Sequence, residues 1–337
     1  MEKFSAANLP NLAGQRVLIP GGLGFIGSNL AHKCLELGAK VTIYDCLNPR
    51  AGGNLYNVQD IRDSVELCYC DIQDFDRLCQ HVCDKDIIIN CAASTSHPFS
   101  MREPWLDIDV NSAATINLLE AIRRFNRDVR FIHLGTSTQL GKLQYQPADE
   151  KHPEFPTDIY SANKSASEKY VLIYAGAYQL QATVARLSNV FGPRACIDSP
   201  EFTFNNYFIG QALQGKDITV FGNGSQKRNV IYIEDVLSAL VLLCCAEKVT
   251  GETFFVVGDQ HWSVAEIAEA TVKYIGSGKV RFVEWPKERE VVDFGDAILS
   301  NKKIKSALLN WVPQYDLKTG LLKTKEYYKF CLKEYLR

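Results

Sequence analysis

The segment Val17-Leu18-Ile19-Pro20-Gly21-Gly22-Leu23-Gly24-Phe25-Ile26-Gly27 constrains this chain more than any other: an apolar run, a glycine-spaced turn and a helix start. A residue without Cβ lets the turn close tightly and lets backbone approach a bound group. The helix N-terminus that follows offers unpaired N–H groups and the positive end of a dipole. A dinucleotide pyrophosphate suits such a turn, and Phe25 and Ile26, which open the helix, belong to the same predicted cofactor site. Gly21, Gly24 and Gly27 are spaced by three and so depart from the usual Gly-x-Gly-x-x-Gly fingerprint, which leaves a purely structural turn open at this point. Asp45 ends the next apolar run, eighteen residues after Gly27. That is close to the roughly 20-residue spacing at which a carboxylate bonds the adenosine ribose. A carboxylate there repels a 2′-phosphate, which selects NAD; Arg50, a few residues on, keeps NADP as the second reading.

Around this turn the first half of the chain alternates short apolar runs with helix-periodic stretches. Residues 16–20, 40–44, 65–70, 86–91 and 130–134 read as strands buried on both faces. The pattern predicts an α/β fold, a Rossmann-type doubly wound parallel sheet covered by helices on both sides. The strongest predicted helices span 104–125 and 160–178, and 182–187 resumes the sheet. After Gly192 the texture changes. Residues 202–206 are aromatic and polar, 219–221 form a short strand ending in Gly222-Asn223-Gly224, and 234–246 return to helix. A further strand of the main sheet is predicted over 254–257. Ser263 and Glu266 form a capping-box signature for a helix running to about Ile275. The remainder, with Trp285-Pro286 and Trp311-Val312-Pro313, reads as short strands and helices of a smaller lobe. We therefore expect a dinucleotide-binding domain over 1–190, whose sheet also receives segments near 229–260, and a mostly substrate-binding lobe over 191–337.

Composition excludes several partners. A chain of 337 residues with 46% apolar content can bury a full core. A formal net charge of -2 without a long single-sign run gives no electrostatic reason to expect nucleic acid or an anionic membrane. The longest apolar stretch, 237–246, falls short of the roughly 18 residues a membrane-spanning helix needs. Residues 1–15 are polar and Asn-rich, with neither the basic start nor the apolar core of a signal peptide, so the expected location is the cytoplasm. Eleven cysteines, an odd count, argue for reduced thiols. Neither Cys68 and Cys70 nor Cys244 and Cys245 have zinc-site spacing, and Cys79 and Cys83 lack a second ligand pair. No metal is expected.

Tyr160 and Lys164 stand four apart, on one face of a predicted helix. A phenol with its ordinary pKa of about 10 is a poor base at neutral pH, and a neighbouring ammonium together with an oxidised nicotinamide would lower it. Tyr160 would then accept a hydroxyl proton as hydride leaves the same carbon, while Lys164 holds the nicotinamide ribose. Thr136 follows the fifth strand, at the carboxyl end where open α/β sheets place ligands. Its hydroxyl can orient a substrate hydroxyl and pass the proton on; Ser137 and Thr138 offer the same chemistry. Asp71 and Ile72 after the third strand face the predicted adenine position, and Ala92, with Cys91 and Ala93, lines the cofactor groove or simply packs tightly there.

These residues make the chain similar to the extended short-chain dehydrogenase/reductase family, and within it to the NAD-dependent epimerases and dehydratases of nucleotide sugars. The likeness covers nearly the whole chain. It rests on the glycine turn, on Tyr160 to Lys164, on Arg186-Leu187-Ser188-Asn189-Val190-Phe191-Gly192-Pro193-Arg194 and on the stretch from Gly222 to Val236 that contains Arg228. The resemblance implies Thr136, five residues before Gly141, as the catalytic hydroxyl. It also implies Asn189 and Arg228 as substrate diphosphate contacts, and Arg289 as a second phosphate contact. Phe221 would flank the base or pack in the core, and Ser137 would line the sugar site. Such family members pair through the two long helices, which implies a homodimer.

The departures bear on the reaction. Dehydratases of the family place Asp and Glu after the hydroxyl, where this chain has Ser137 and Thr138; decarboxylases keep a glutamate where Thr138 stands. Pro20 replaces the usual threonine and Leu140 the usual aromatic. The segment 96–102 is unlike the commonest epimerases, and its His97 reads as a polar contact to the sugar, with an acid/base role as the alternative. The expected function is an NAD-dependent epimerase that takes hydride from a nucleotide-diphosphate sugar, passes through a keto intermediate and returns it. A dehydrogenase or an atypical dehydratase of the same fold is the runner-up. A non-catalytic dinucleotide sensor is the reading from another class, and the intact Thr136, Tyr160 and Lys164 speak against it.

Overall fold

The computed structural model describes residues 9–286, 295–308 and 311–336. Six strands build most of one sheet: β1 (Arg16–Pro20), β2 (Lys40–Asp45), β3 (Val65–Tyr69), β4 (Ile87–Asn90), β5 (Arg130–Thr136) and β6 (Ala182–Leu187). The chain then makes β7 (Asn189–Phe191), β8 (Ile218–Phe221) and β9 (Lys227–Tyr232). It returns to the sheet with β10 (Thr253–Val256) and ends its strands with β11 (His261–Ser263) and β12 (Val280–Val283). The seven-stranded sheet runs β10-β6-β5-β4-β1-β2-β3, and every neighbouring pair in it is parallel. Strand order reverses beside β1, and such a switch point opens a crevice at the carboxyl ends of the strands.

The helices are α1 (Phe25–Glu36), α2 (Phe75–Val82), α3 (His97–Arg102), α4 (Pro104–Asp107), α5 (Ala114–Phe125) and α6 (Ile159–Tyr178), then α7 (Phe204–Leu213), α8 (Ile233–Cys245), α9 (Val264–Ile275), α10 (Lys302–Ala307) and α11 (Leu317–Cys331). Alternation along β1 shows how they divide. Val17 and Ile19 face a core shared with Leu30 of α1 and with Val236 and Leu240 of α8, whereas Leu18 faces one shared with Leu78 of α2, Leu118 of α5 and Val171 of α6. Each such fully buried aliphatic side chain contributes roughly 1.5–3 kcal/mol relative to exposure. The apolar stretch at 237–246 is thus a core helix, and among the described residues no helix is long and apolar enough to cross a membrane.

Two expectations change. β3 is not buried on both faces: it is the outermost strand, and Glu66 and Tyr69 are exposed. The helix expected over 104–125 is interrupted, because Ile108–Ala113 forms one wide π turn between α4 and α5. The aromatic stretch near 202–206 opens α7. By contrast, Ser263 and Glu266 exchange both capping bonds at the start of α9, as their spacing predicts. β5 runs two residues past its expected end because Gly135 and Thr136 pair with Arg186 and Leu187, which carries Thr136 to the crevice. Two small sheets stand apart from the large one: β11-β9-β7 holds Asn189 and Arg228, and β8 with β12 holds Phe221.

Candidate active site

The glycines of the turn do different work. Gly21 has φ 75°, and a Cβ there would lie 2.5 Å from the Ala92 nitrogen; a Cβ on Gly27 would lie 2.3 Å from the Gly21 carbonyl oxygen. Both are required by the chain's own packing. Gly24 is not, since its φ of -75° suits any residue and a Cβ would meet only the Gly21 oxygen, at 3.3 Å. Gly24 is the N-cap of α1, no side chain caps it, and the first turn carries no acid. A group approaching from outside the chain is what this missing Cβ accommodates, and an anion is what the helix end favours. Phe25 and Ile26 form that first turn.

Asp45 ends β2 beneath the turn. Its Oδ2 accepts from the Leu23 N–H at 3.0 Å and its Oδ1 from the Leu47 N–H at 2.8 Å. Burial pushes its pKa up against these two bonds. Each oxygen keeps a lone pair that a ribose hydroxyl can use. Asp71 follows β3 and accepts from the Gln73 N–H at 2.9 Å, Ile72 beside it is buried, and the Ala92 N–H donates to Asn90 Oδ1 at 3.2 Å. Turn, carboxylate, Asp71-Ile72 and Ala92 thus stand at the carboxyl ends of β1 to β4 and fit an elongated dinucleotide. Arg50 lies instead against the Phe99 ring of α3, 5.9 Å from its centre.

Tyr160 and Lys164 lie buried on the first turns of α6, whose N-cap Asp158 accepts from the Ser161 N–H at 2.8 Å. The Thr136 hydroxyl acts on the Tyr160 phenol, drawing its pKa down against burial. Thr136 Oγ1 is in turn 3.1 Å from Thr138 Oγ1, which is 2.8 Å from Ser161 Oγ. The result is a run of three hydroxyls that ends beside the Asp158 carboxylate at Ser161; Ser137 is half-buried beside it. Lys164 Nζ lies 3.2 Å from His133 Nε2 on β5. Burial pushes Lys164 down to about 8, against the pull of Asp107 and Glu168. Burial and the Lys164 charge hold His133 far below its usual range, so it is neutral.

The phenol behaves differently from the expectation. Within the chain, burial and then Asp107 push Tyr160 up, and the Thr136 hydroxyl works the other way. A positive charge bound in the crevice would lower it.

Several neighbours escaped sequence reading. Asp107 is fully buried, its Oδ1 accepts from Asn163 Nδ2 at 2.8 Å, and its Oδ2 has no partner among the described residues. The π turn places it against α6. His133 had a usable signal, a polar side chain in a strand otherwise read as wholly apolar; Asp158 had one too, as a capping residue before the helix. Asp107 had none.

His97 opens α3, and its Nδ1 lies 2.8 Å from Asp158 Oδ2 while its ring meets the Tyr160 ring edge-on at 4.8 Å. The structure thus groups Thr136, Tyr160, Lys164 and His97. Asn189 begins β7 two residues after Leu187, the register partner of Thr136. Its Nδ2 donates to the Asn229 carbonyl at 3.1 Å, and its own carbonyl accepts from Asn205 Nδ2 at 3.3 Å. Arg228 on adjacent β9 is buried and donates to the carbonyls of Lys227 and Gly295. Phe221 packs against Trp285, ring centres 5.5 Å apart, on the separate β8–β12 pair. Arg289 lies outside the described residues.

Comparison with known proteins follows the same lines. Residues 17–258 match the NAD dependent epimerase/dehydratase family. The chain is 31% identical to a putative UDP-glucose 4-epimerase of Methanocaldococcus jannaschii over 93% of its own length and 98% of the relative's. It is 29% identical to a dTDP-glucose 4,6-dehydratase of Streptomyces niveus, over 93% of each chain. Among solved structures it superimposes on the UDP-glucose 4-epimerase of Thermotoga maritima with UDP-glucose at a TM-score of 0.85 and 26% identity, covering 94% of this chain and 100% of that one. The fold agrees with these matches, and the chain belongs to the NAD-dependent epimerase/dehydratase family of the extended short-chain dehydrogenases/reductases.

Proposed function

We propose that the protein is an NAD-dependent epimerase of a nucleotide-diphosphate sugar. NAD, when bound, supplies a hydride acceptor that later returns the hydride. The chain's own groups move the proton: a sugar hydroxyl seated on Thr136 is one hydrogen bond from Tyr160, and Lys164 holds the nicotinamide ribose. Gly21, Gly24, Phe25, Ile26, Gly27, Asp45, Asp71, Ile72 and Ala92 hold the remainder of NAD, which stays bound through turnover, and the Asp45 carboxylate disfavours NADP. The observation that carries epimerisation over dehydration is the hydroxyl run Thr136, Thr138, Ser161. Elimination of water needs an acid beside the hydroxyl, and neither Ser137 nor Thr138 is one.

Asn189 and Arg228 take the diphosphate, with Arg289 as a further contact, Phe221 at the base, and Ser137 and His97 at the sugar. In this reading residues 1–190 carry the cofactor and 191–337 mostly the substrate. The protein acts in the cytoplasm as a homodimer paired through α4, α5 and α6, on which Trp105 (77% exposed), Ile116, Phe125 and Ile173 leave apolar surface uncovered. Light scattering checks the dimer. For the reaction, bound cofactor is released and identified by mass spectrometry, and UDP-, GDP-, CDP- and dTDP-sugars are followed by NMR. An epimer formed without loss of water or accumulation of NADH is expected from one of them. Turnover should fall roughly 10²–10⁴-fold in Tyr160→Phe. If no nucleotide sugar binds, the substrate class is wrong.

A further inference from the structure

On the sheet edge away from this crevice, three metal-ligating side chains converge. Glu66 and Cys68 alternate onto one face of β3, and His81 comes from the last turn of α2. Cys68 Sγ lies 3.7 Å from His81 Nδ1 and 3.8 Å from a Glu66 oxygen, and all three donor atoms lie within 4.8 Å of one another. A tetrahedral ion with a metal–sulfur distance of about 2.3 Å and metal–nitrogen or metal–oxygen distances of about 2.0–2.1 Å holds such donors about 3.5 Å apart. The two spacings to Cys68 are within a few tenths of an ångström of that, and Glu66 and His81 lie no more than 4.8 Å apart.

Outer contacts orient the donors. The other Glu66 oxygen accepts from the buried Thr42 hydroxyl at 2.7 Å, and the Tyr44 ring meets the His81 ring edge-on at 5.3 Å. Partners of this kind fix ligand orientation in metal sites. Cys70, next on the same face, is engaged by Arg77 Nη1 at 3.4 Å.

We infer that Glu66, Cys68 and His81 bind one divalent ion of the zinc class, clamping edge strand β3 to α2 with water in the fourth position. Spacing along the chain hides the site, because the third ligand comes from another element. The ammonium of Lys85, which donates to the same Thr42 hydroxyl at 3.2 Å, offsets part of the ligand charge. Selection therefore rests on sulfur and nitrogen donors, which favour zinc or cobalt and leave magnesium and calcium, cations that demand several oxygens, without a site.

The test uses the full chain, freed of metal with a chelator and titrated with cobalt under reducing conditions. One equivalent should give a thiolate-to-cobalt charge-transfer band that zinc abolishes and magnesium or calcium does not. Cys68→Ser and His81→Asn, checked for folding by circular dichroism, should each weaken cobalt binding at least ~10-fold. Zinc should raise the melting temperature of the parent and not of Cys68→Ser. No band in the parent, or an equal band in folded Cys68→Ser, overturns the site and leaves a hydrogen-bonded cluster.

Discussion

Lys164 and His133, 31 residues apart in sequence, meet at 3.2 Å, an ammonium against an imidazole that burial keeps neutral. Uncharged, the imidazole can sit beside the ammonium; protonated, it would repel it. His133 is thus a positioning residue for Lys164. His133→Phe removes the polar neighbour that seats Lys164 and should lower kcat about 10- to 100-fold. With an apolar ring in place of the polar imidazole Lys164 is further desolvated and loses its proton more readily, and the alkaline limb of the pH–rate profile should move to lower pH. A profile superimposable on the parent's would disprove the coupling.

Lys164 costs stability where it is charged. Its pKa of about 8 in the fold lies below the ordinary 10.5, so the penalty is fully present below pH 8 and relieved as pH rises from 8 to 10.5. That difference corresponds to about 3 kcal/mol. Lys164→Met should therefore raise the urea midpoint at pH 7 while abolishing turnover, and the gain should shrink above pH 8.

The glycines separate packing from ligand binding. Gly21→Ala and Gly27→Ala force contacts of 2.5 and 2.3 Å with backbone atoms and should unfold or strongly destabilise the domain. Gly24→Ala, with only a 3.3 Å contact to accommodate, should melt within a few degrees of the parent and yet be purified without NAD. Full cofactor content in Gly24→Ala would remove the pyrophosphate from this turn.

Asp158 serves two partners, the Ser161 N–H and His97. Burial pushes its carboxyl up, but the His97 bond and charge hold it below the usual range. Asn caps a helix about as well as Asp. Asp158→Asn should therefore keep α6 folded while releasing His97, and raise KM for the sugar nucleotide more than it lowers kcat. Steady-state kinetics decide this; unchanged KM would place His97 outside the sugar site.

What the chain says about itself is what interactions within a few residues decide. The glycine turn, the strand alternation, the Ser263–Glu266 cap and the helix Ile159–Tyr178 follow from local sterics and periodicity, and with them the Rossmann-type sheet. The Tyr160–Lys164 pair is legible because four residues of helix bring them to one face. The exposure of β3 was not, because burial on both faces depends on which strand ends up outermost. Nor was the direction in which Tyr160 and Lys164 shift, since desolvation belongs to the assembled crevice and not to the helix.

Asp107 against Asn163, His133 against Lys164 and His81 beside Cys68 join separate elements, and no pattern along the chain specifies such distances. The sequence by itself determined the elements, the cofactor turn and the chemistry available to the site. Only the tertiary structure decided which buried polar groups surround that chemistry, because strand order, the π turn at Ile108–Ala113 and helix packing set both their distances and their dielectric surroundings.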